Sequence, residues 1–450
     1  MRQSSSSSRY SWVAKLIFVV YLLFQSGCSS YPVVTERTID LHRVQDIKKR
    51  LAALRGLDFT RAVPIEVKNE KQMRNYLKAS LLRDYGEQKL KDMSLAYAKF
   101  GLLPRGSNLQ QSLLDFYTAQ VLAYYDPKEK SLTFPEDMKP GFTVGAVEFL
   151  PRRDVLDEMI LAHELTHALQ DQHFSLETKL RPSNNDDESL AMRAVVEGDA
   201  SLSATSILSG RADSEYLTGI SNEIQAELKQ KREDFSEIPA LIAEPLLFSY
   251  YGGVSFVARM LEERGWPGIN RLYVSPPLST EQVLHPKKYL YKPDPPTQIT
   301  WNNLASILPN DWKEVENNVL GELTVQVLFK EYFSEKEAKK AASGWDGDRF
   351  VAFRNRRDIA FVWATIWDSL QDSEEFLKRY QKILSKRYPD STSDSTYYIE
   401  QRGRRVLVVE GLKRSYTQAK SKMFWKKMKL KEVAFTRPFA PRQKVSHKKP

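Results

Sequence analysis

Residues 163–167 read His163-Glu164-Leu165-Thr166-His167. On a helix, side chains four apart lie one turn apart on the same face, so both imidazoles can reach one ion. Glu164 falls on the adjacent flank, where its carboxylate can take a proton from water held at that ion. Two neutral nitrogen ligands beside a carboxylate base are what metal-assisted hydrolysis needs. The alternative is coincidence on a surface helix, but the preceding Met159-Ile160-Leu161-Ala162 run favours burial, and the chain has only six histidines. A catalytic zinc takes three protein ligands and keeps one position open. The sole cysteine is Cys28, so a thiolate cage is excluded and the third ligand must be His, Asp or Glu. His173 and Glu197 compete for it. If the helix runs on past His167, His173 lies about 120° around the axis and faces away. Glu197, in Val196-Glu197-Gly198-Asp199-Ala200, would come from the next helix, with Gly198 permitting a close approach of the two.

Hydrolysis also needs a donor for the developing oxyanion. His285, in Leu284-His285-Pro286, is one candidate; Tyr250 or Tyr251, ahead of Gly252-Gly253, is another. The segment Gln120 to Tyr125 reads as a strand whose open edge could receive an extended peptide, or simply as half of a hairpin. Gly344-Trp345-Asp346-Gly347-Asp348-Arg349 reads as a turn, because its oxygens are too few for a calcium cage.

The site residues need helices to hold them. Val155, Met159, Ala162, Thr166 and Leu169 form one stripe of a helix over 154–172. Small residues suit a helix over 189–208, and a further helical stretch runs to about Gly265. Upstream, Ile39 to Arg55 and Glu70 to Phe100 are helical, with a strand at 64–67 and a hairpin closed by Asp126-Pro127. The proline-dense segment Tyr273 to Pro296 is expected to be extended. Beyond it, a helix over 320–342, paired strands at 350–353 and 359–367, a helix over 373–387 and strands at 397–401 and 406–410 form a second part. The fold class expected is therefore α+β, in two parts joined near residue 300.

The two-histidine helix followed by a glutamate on a second helix resembles the gluzincin metallopeptidases. The metzincin spacing to His173 is present as well, but Gln170 stands where that family has glycine. Tyr125-Asp126-Pro127, His163 to His173, Glu197 to Ala200, Ser279 to Tyr289 and Gly344 to Arg349 look like a little-characterised group of exported bacterial proteins, taken to be zinc metallopeptidases of gluzincin type. That resemblance implies a zincin-like, largely helical catalytic part with a small mixed sheet over 28–300; the second α+β part over 301–412 and a basic tail over 413–450 follow it. It implies one Zn2+ on His163, His167 and Glu197, with Glu164 as the base and peptide or protein as substrate. One departure stands out. Thermolysin-like relatives carry an aspartate one turn after the glutamate, to orient a ligand histidine; here that position is Ser201, and Asp199 points elsewhere. Two other classes compete: an envelope binding or assembly lipoprotein with a structural or vestigial zinc, and a metal-dependent amidase of the cell wall. An intact Glu164 favours an enzyme over a vestige.

At the amino end, Arg2, Arg9 and Lys15 precede the apolar run Leu16 to Phe24, and Cys28 follows Gln25-Ser26-Gly27. A positive stretch, a nine-residue apolar run and small residues are expected of an export signal over 1–27. The arrangement resembles a bacterial lipoprotein signal, with Cys28 as the lipidated first mature residue and Ser29 directing it to the outer membrane, facing the periplasm or the surface. The run is too short to span a bilayer, which takes about 20 residues. With 42% hydrophobic and 28% charged residues, neither wholesale disorder nor a multi-span membrane protein fits. The net charge of +10 is unevenly spread: residues 413–450 carry thirteen Lys or Arg and one acid. The lysines of 420–431 are interleaved with Met423, Phe424, Trp425, Met428 and Leu430. That pattern suits an anionic envelope surface, or a terminal amphipathic helix docked on its own domain. Nucleic acid is a poor partner for an exported chain.

Overall fold

A computed structural model describes residues 34–35, 38–120, 123–136, 153–230, 238–356, 358–389 and 396–435. The expected leader, Cys28 and the last fifteen residues lie outside them. The architecture is α+β, with helices surrounding small sheets.

Helix α1, Leu41–Arg55, opens under Asp40, whose carboxylate accepts from the His42 and Arg43 amides. It ends at Gly56 in the left-handed region (φ 62°), a stop that spares the side-chain penalty of that conformation. A small mixed sheet follows. Strand β1, Ile65–Lys68, runs parallel to β3, Ser131–Pro135, and β2, Tyr124–Asp126, pairs antiparallel with β3 on the other side, Tyr125 opposite Leu132. Between β1 and β2 lie α2, Glu70–Tyr85, α3, Glu87–Phe100, and α4, Leu109–Gln120. The strand expected over Gln120 to Tyr125 is thus corrected. Gln120 ends α4, whose Leu109 and Phe116 are buried, and the strand starts at Tyr124. Residues 121–122 are not among those described.

Three long helices hold the centre of the first part: α5, Arg153–Phe174, α6, Asp186–Ser209, and, after α7, Ser214–Gln230, α8, Ala240–Leu272. Helix α6 starts under the Asn185 side chain, which accepts from the Glu188 amide, with Asp186, Asp187 and Glu188 in its first turn. It crosses α8 with almost no spacing. A Cβ on Gly198 would fall 2.3 Å from the Gly253 carbonyl carbon, and one on Gly253 would fall 2.1 Å from the Ala194 oxygen. Gly198 therefore serves the contact with α8, not the expected approach between the two histidine- and glutamate-bearing helices. Helix α8 kinks at Gly265, φ 65°, close to the expected helix end.

The proline-dense segment is not simply extended, as expected. It contains two helical turns, α9 over Thr280–Leu284 and α10 over Lys287–Leu290, with Ser279 capping the first and Pro286 entering the second. Proline supplies the φ that a helix start needs. Strand β4, Gln298–Trp301, leads to a five-stranded antiparallel sheet built from β5, Lys313–Asn318, β6, Trp345–Arg354, β7, Ile359–Trp367, β8, Tyr397–Arg402, and β9, Arg405–Glu410, in the spatial order β8-β9-β7-β6-β5. Alternation assigns its two faces. Phe350, Ala352, Phe361, Trp363, Val406 and Val408 pack with α11, Gly321–Lys330, α12, Glu335–Ala342, and α13, Leu370–Arg387. Val351, Phe353, Val362, Ala364, Leu407 and Val409 pack with Phe424 and Trp425 of α14, Arg414–Lys427. The first of these cores also takes in Tyr97 and Phe100 of α3 and Leu247 of α8, so the two parts share apolar packing.

The turn expected over Gly344 to Arg349 is a strand start instead. Asp348 is buried and accepts from the Leu320 and Gly321 amides and from the indoles of Trp345 and Trp363, at 2.9–3.0 Å. Four donors hold this carboxylate inside the sheet, which local turn chemistry does not foretell. The expected tail also begins as folded structure: α14 docks through Phe424 and Trp425, and β10, Met428–Lys431, pairs antiparallel with β4.

Candidate metal centre

Helices α5 and α6 bring three ligand atoms together. His163 Nε2 lies 3.0 Å from His167 Nε2 and 3.2 Å from Glu197 Oε2, and His167 Nε2 lies 3.6 Å from the same oxygen. The two rings are nearly perpendicular, so their nitrogens converge rather than stack. A tetrahedral ion with ligands at about 2.0–2.1 Å sets ligand atoms about 3.3 Å apart. The trio matches that spacing, and its donor set of two imidazoles and a carboxylate suits zinc. Its side chains are 11–19% exposed, enclosed yet reachable.

Electrostatics point the same way. Burial alone would raise the Glu197 carboxyl, but His167 and His163 hold it well below the usual carboxylate range. Burial alone would lower His167, yet the Glu197 carboxylate carries it up to about 9. The two shifts have one cause, the contact between the Glu197 carboxylate and the paired imidazoles.

Glu164 is buried beside the trio, and its Oε2 accepts from the Tyr125 amide of β2 at 2.7 Å. The Tyr125 hydroxyl donates to Asp171 at 2.9 Å, and Lys130 pairs with Asp171 at 3.0 Å. Tyr125 thereby ties the outer strand of the small sheet to α5 at two points two turns apart, which fixes where Glu164 sits. Tyr250 of α8 stacks on His163, with centroids 6.3 Å apart. Burial, reinforced by the Glu197 and Glu164 charges, pushes its phenol well above the ordinary range, so it stays a donor. Tyr251 packs edge-on against Phe248.

Two sequence candidates are placed elsewhere. His173 lies with its Nε2 2.7 Å from the Asp58 carbonyl oxygen, as expected if the helix simply continues. His285, the candidate oxyanion donor, has its Nε2 3.0 Å from Glu322, and that contact raises its pKa. Glu322 precedes Leu323, whose amide donates to Thr280; Thr280 in turn donates to Asp187 in the first turn of α6. Asp187 stands ten residues, about 15 Å of helix, before Glu197. His285 thus meets a junction between α6, α9 and α11, and its contact is with Glu322 rather than with the trio. A second acidic group, Glu281, Asp294 and Asp368, already encloses a cation: Lys288 Nζ lies 2.6, 2.8 and 2.6 Å from the three carboxylates.

Sequence reasoning missed the residues behind the trio. Gln170, Asp199, Arg55 and Tyr273 form a buried chain of polar contacts ending on His167. Asp199 does point away from the ion, as its position after Glu197 requires, but toward Gln170. Gln170 attracted notice only as a non-glycine, and nothing local marks Arg55.

The comparisons with known proteins add two similarities. Residues 308–420 match a domain of unknown function, DUF8575. The chain also resembles the crystal structure of a proposed hydrolase with a novel fold from Chloroflexus aurantiacus, at 16% identity and a TM-score of 0.35, over 61% of this chain and 94% of that one. No curated protein sequence matches.

Proposed function

We propose that the chain is a zinc-dependent peptide hydrolase of the cell envelope. The observation that carries this reading is the convergence of His163, His167 and Glu197 at tetrahedral ligand spacing, with the Glu164 carboxylate beside them. Zinc held there would polarise a substrate carbonyl and bring the pKa of water toward about 7. Glu164, oriented by the Tyr125 amide, accepts the water's proton and returns it to the leaving amine. Tyr250 offers the phenol that donates to the oxyanion, in the place first considered for His285. Strand β2 stands at the edge of its sheet, alongside the base, with its Tyr125 amide given to Glu164. Hydrolysis of a casein or peptide library by the purified chain should be lost on chelation and restored by zinc. Activity confined to cell-wall amides would select the amidase instead, and a chain inert on both would leave a binding lipoprotein.

The same reading places the protein at a membrane. Between Lys413 and Lys431 there are eight basic residues and no acid. Lys422, Lys426, Lys429 and Lys431 are exposed, together with Met423 and Leu430, each 41% exposed. Such a face complements anionic lipid. The full chain carrying Cys28→Ser, which removes lipidation, should co-sediment with vesicles rich in phosphatidylglycerol and not with neutral phosphatidylcholine. Reversing Lys422, Lys426 and Lys429 to glutamate should weaken that binding by about a hundredfold or more. Equal binding to neutral vesicles would remove the charged face from the account.

A further inference from the structure

An imidazole has two nitrogens, and the partner of one decides what the other presents. His167 Nδ1 lies 2.9 Å from Gln170 Oε1, three residues on in α5. The Gln170 amide cannot be turned round. Its nitrogen faces two acceptors, Asp199 Oδ2 at 2.8 Å and the Val196 carbonyl at 3.2 Å, so its oxygen must face His167. An amide oxygen only accepts, and the proton of the neutral ring therefore sits on Nδ1. Nε2 is left with its lone pair aimed at His163 and Glu197.

Asp199 is fixed just as firmly. Arg55 of α1 reaches both of its oxygens, at 2.8 and 2.9 Å. The Tyr273 hydroxyl donates at 2.7 Å, and Ser203 at 3.3 Å. Gln170 and Asp199 are fully buried, and Arg55 is 2% exposed. The direction of donation is set along the whole chain: Arg55 and Tyr273 give to Asp199, Gln170 gives to Asp199, and His167 gives to Gln170.

We infer that Gln170, its amide locked by the Arg55–Asp199 pair, is a positioning residue that holds His167 as the Nδ1–H tautomer and presents a bare Nε2 to the metal. The inference rests on the metal reading of the trio. It also supplies what the absent turn-later aspartate would have done, by an amide relay from Asp199. Every contact in the chain from Arg55 to His167 Nδ1 is protein to protein, and the Nδ1 proton is common to the neutral and the charged ring. Orienting partners of this kind change metal affinity by about 10–100-fold.

Gln170→Met keeps length and volume but removes all three of the Gln170 side-chain hydrogen bonds, while Asp199 keeps Arg55, Tyr273 and Ser203. Zinc affinity of the folded variant, measured by chelator competition, should fall by about 10–100-fold, with the metal-free melting temperature lowered as the loss of buried hydrogen bonds requires. Nitrogen-15 spectra of histidine-labelled, zinc-loaded wild type should show a protected proton on His167 Nδ1, and this readout needs no variant to fold. Zinc bound equally by wild type and Gln170→Met, or His167 coordinating through Nδ1, would overturn the relay alone. A wild-type chain that takes up no zinc would overturn the reading beneath it.

Discussion

Replacing Glu164 by glutamine should leave zinc content and thermal unfolding as they are and lower peptide hydrolysis by a factor of about 10²–10⁴. The contrast follows from what Glu164 touches. Its Oε2 accepts the Tyr125 amide, and a glutamine oxygen can accept the same bond, so β2 stays tied to α5. The amide cannot take up a proton at neutral pH, so the step assigned to the carboxylate is lost. Glu164→Ala is a poorer test, since it also leaves a buried backbone donor without its partner. Unchanged turnover by Glu164→Gln would remove this residue from the chemistry, whatever the metal does.

The second large effect is expected on stability. In Arg55→Met the Asp199 carboxylate stays buried with Tyr273, Gln170 and Ser203 as donors but without a cation. Both members of the pair have fully buried side chains, and removing one partner of such a pair costs about 3–5 kcal/mol. Replacing the pair by apolar groups can be neutral, so the loss measures an uncompensated charge rather than the pair's net worth. Arg55 also bonds Asn270 of α8, so one guanidinium joins α1, α6 and α8 behind the His163–His167–Glu197 trio. Urea unfolding with an unchanged slope and a lower midpoint is the expected result. A loss below about 1 kcal/mol, the range of an ordinary surface pair, would mean that this junction is not what holds the helices in place.

Much of the site was legible because its elements are local and periodic. The stripe from Val155 to Leu169 gives the helix, four-residue spacing gives the paired imidazoles, and helix continuation turns His173 away. Glu197 needed a resemblance to single it out, since no spacing rule connects residues thirty apart on different helices. The positioning layer was not legible at all. Gln170 meets Asp199, and Arg55 meets Asp199 from 144 residues away; tertiary packing alone makes these pairs. The same cause explains the misread turn at Gly344 to Arg349. Two glycines and two aspartates look like loop chemistry, yet Asp348 is satisfied by the neighbouring Trp345 indole together with the Trp363 indole and two amides 15 to 28 residues away. His285 was chosen by residue type, and its contact with Glu322 was not foreseen, because Glu322 lies in a helix that the sequence gives no reason to pair with it. The prolines were read as an extended run, whereas Pro286 starts a helical turn.

The most direct test is X-ray absorption at the zinc edge on the zinc-loaded full chain, with Glu197→Ala alongside. Two imidazole nitrogens and a carboxylate oxygen at about 2.0–2.2 Å, with binding lost or greatly weakened in the variant, is the expected spectrum. Zinc held through three imidazoles, or a first shell indifferent to Glu197→Ala, would contradict a centre made of His163, His167 and Glu197.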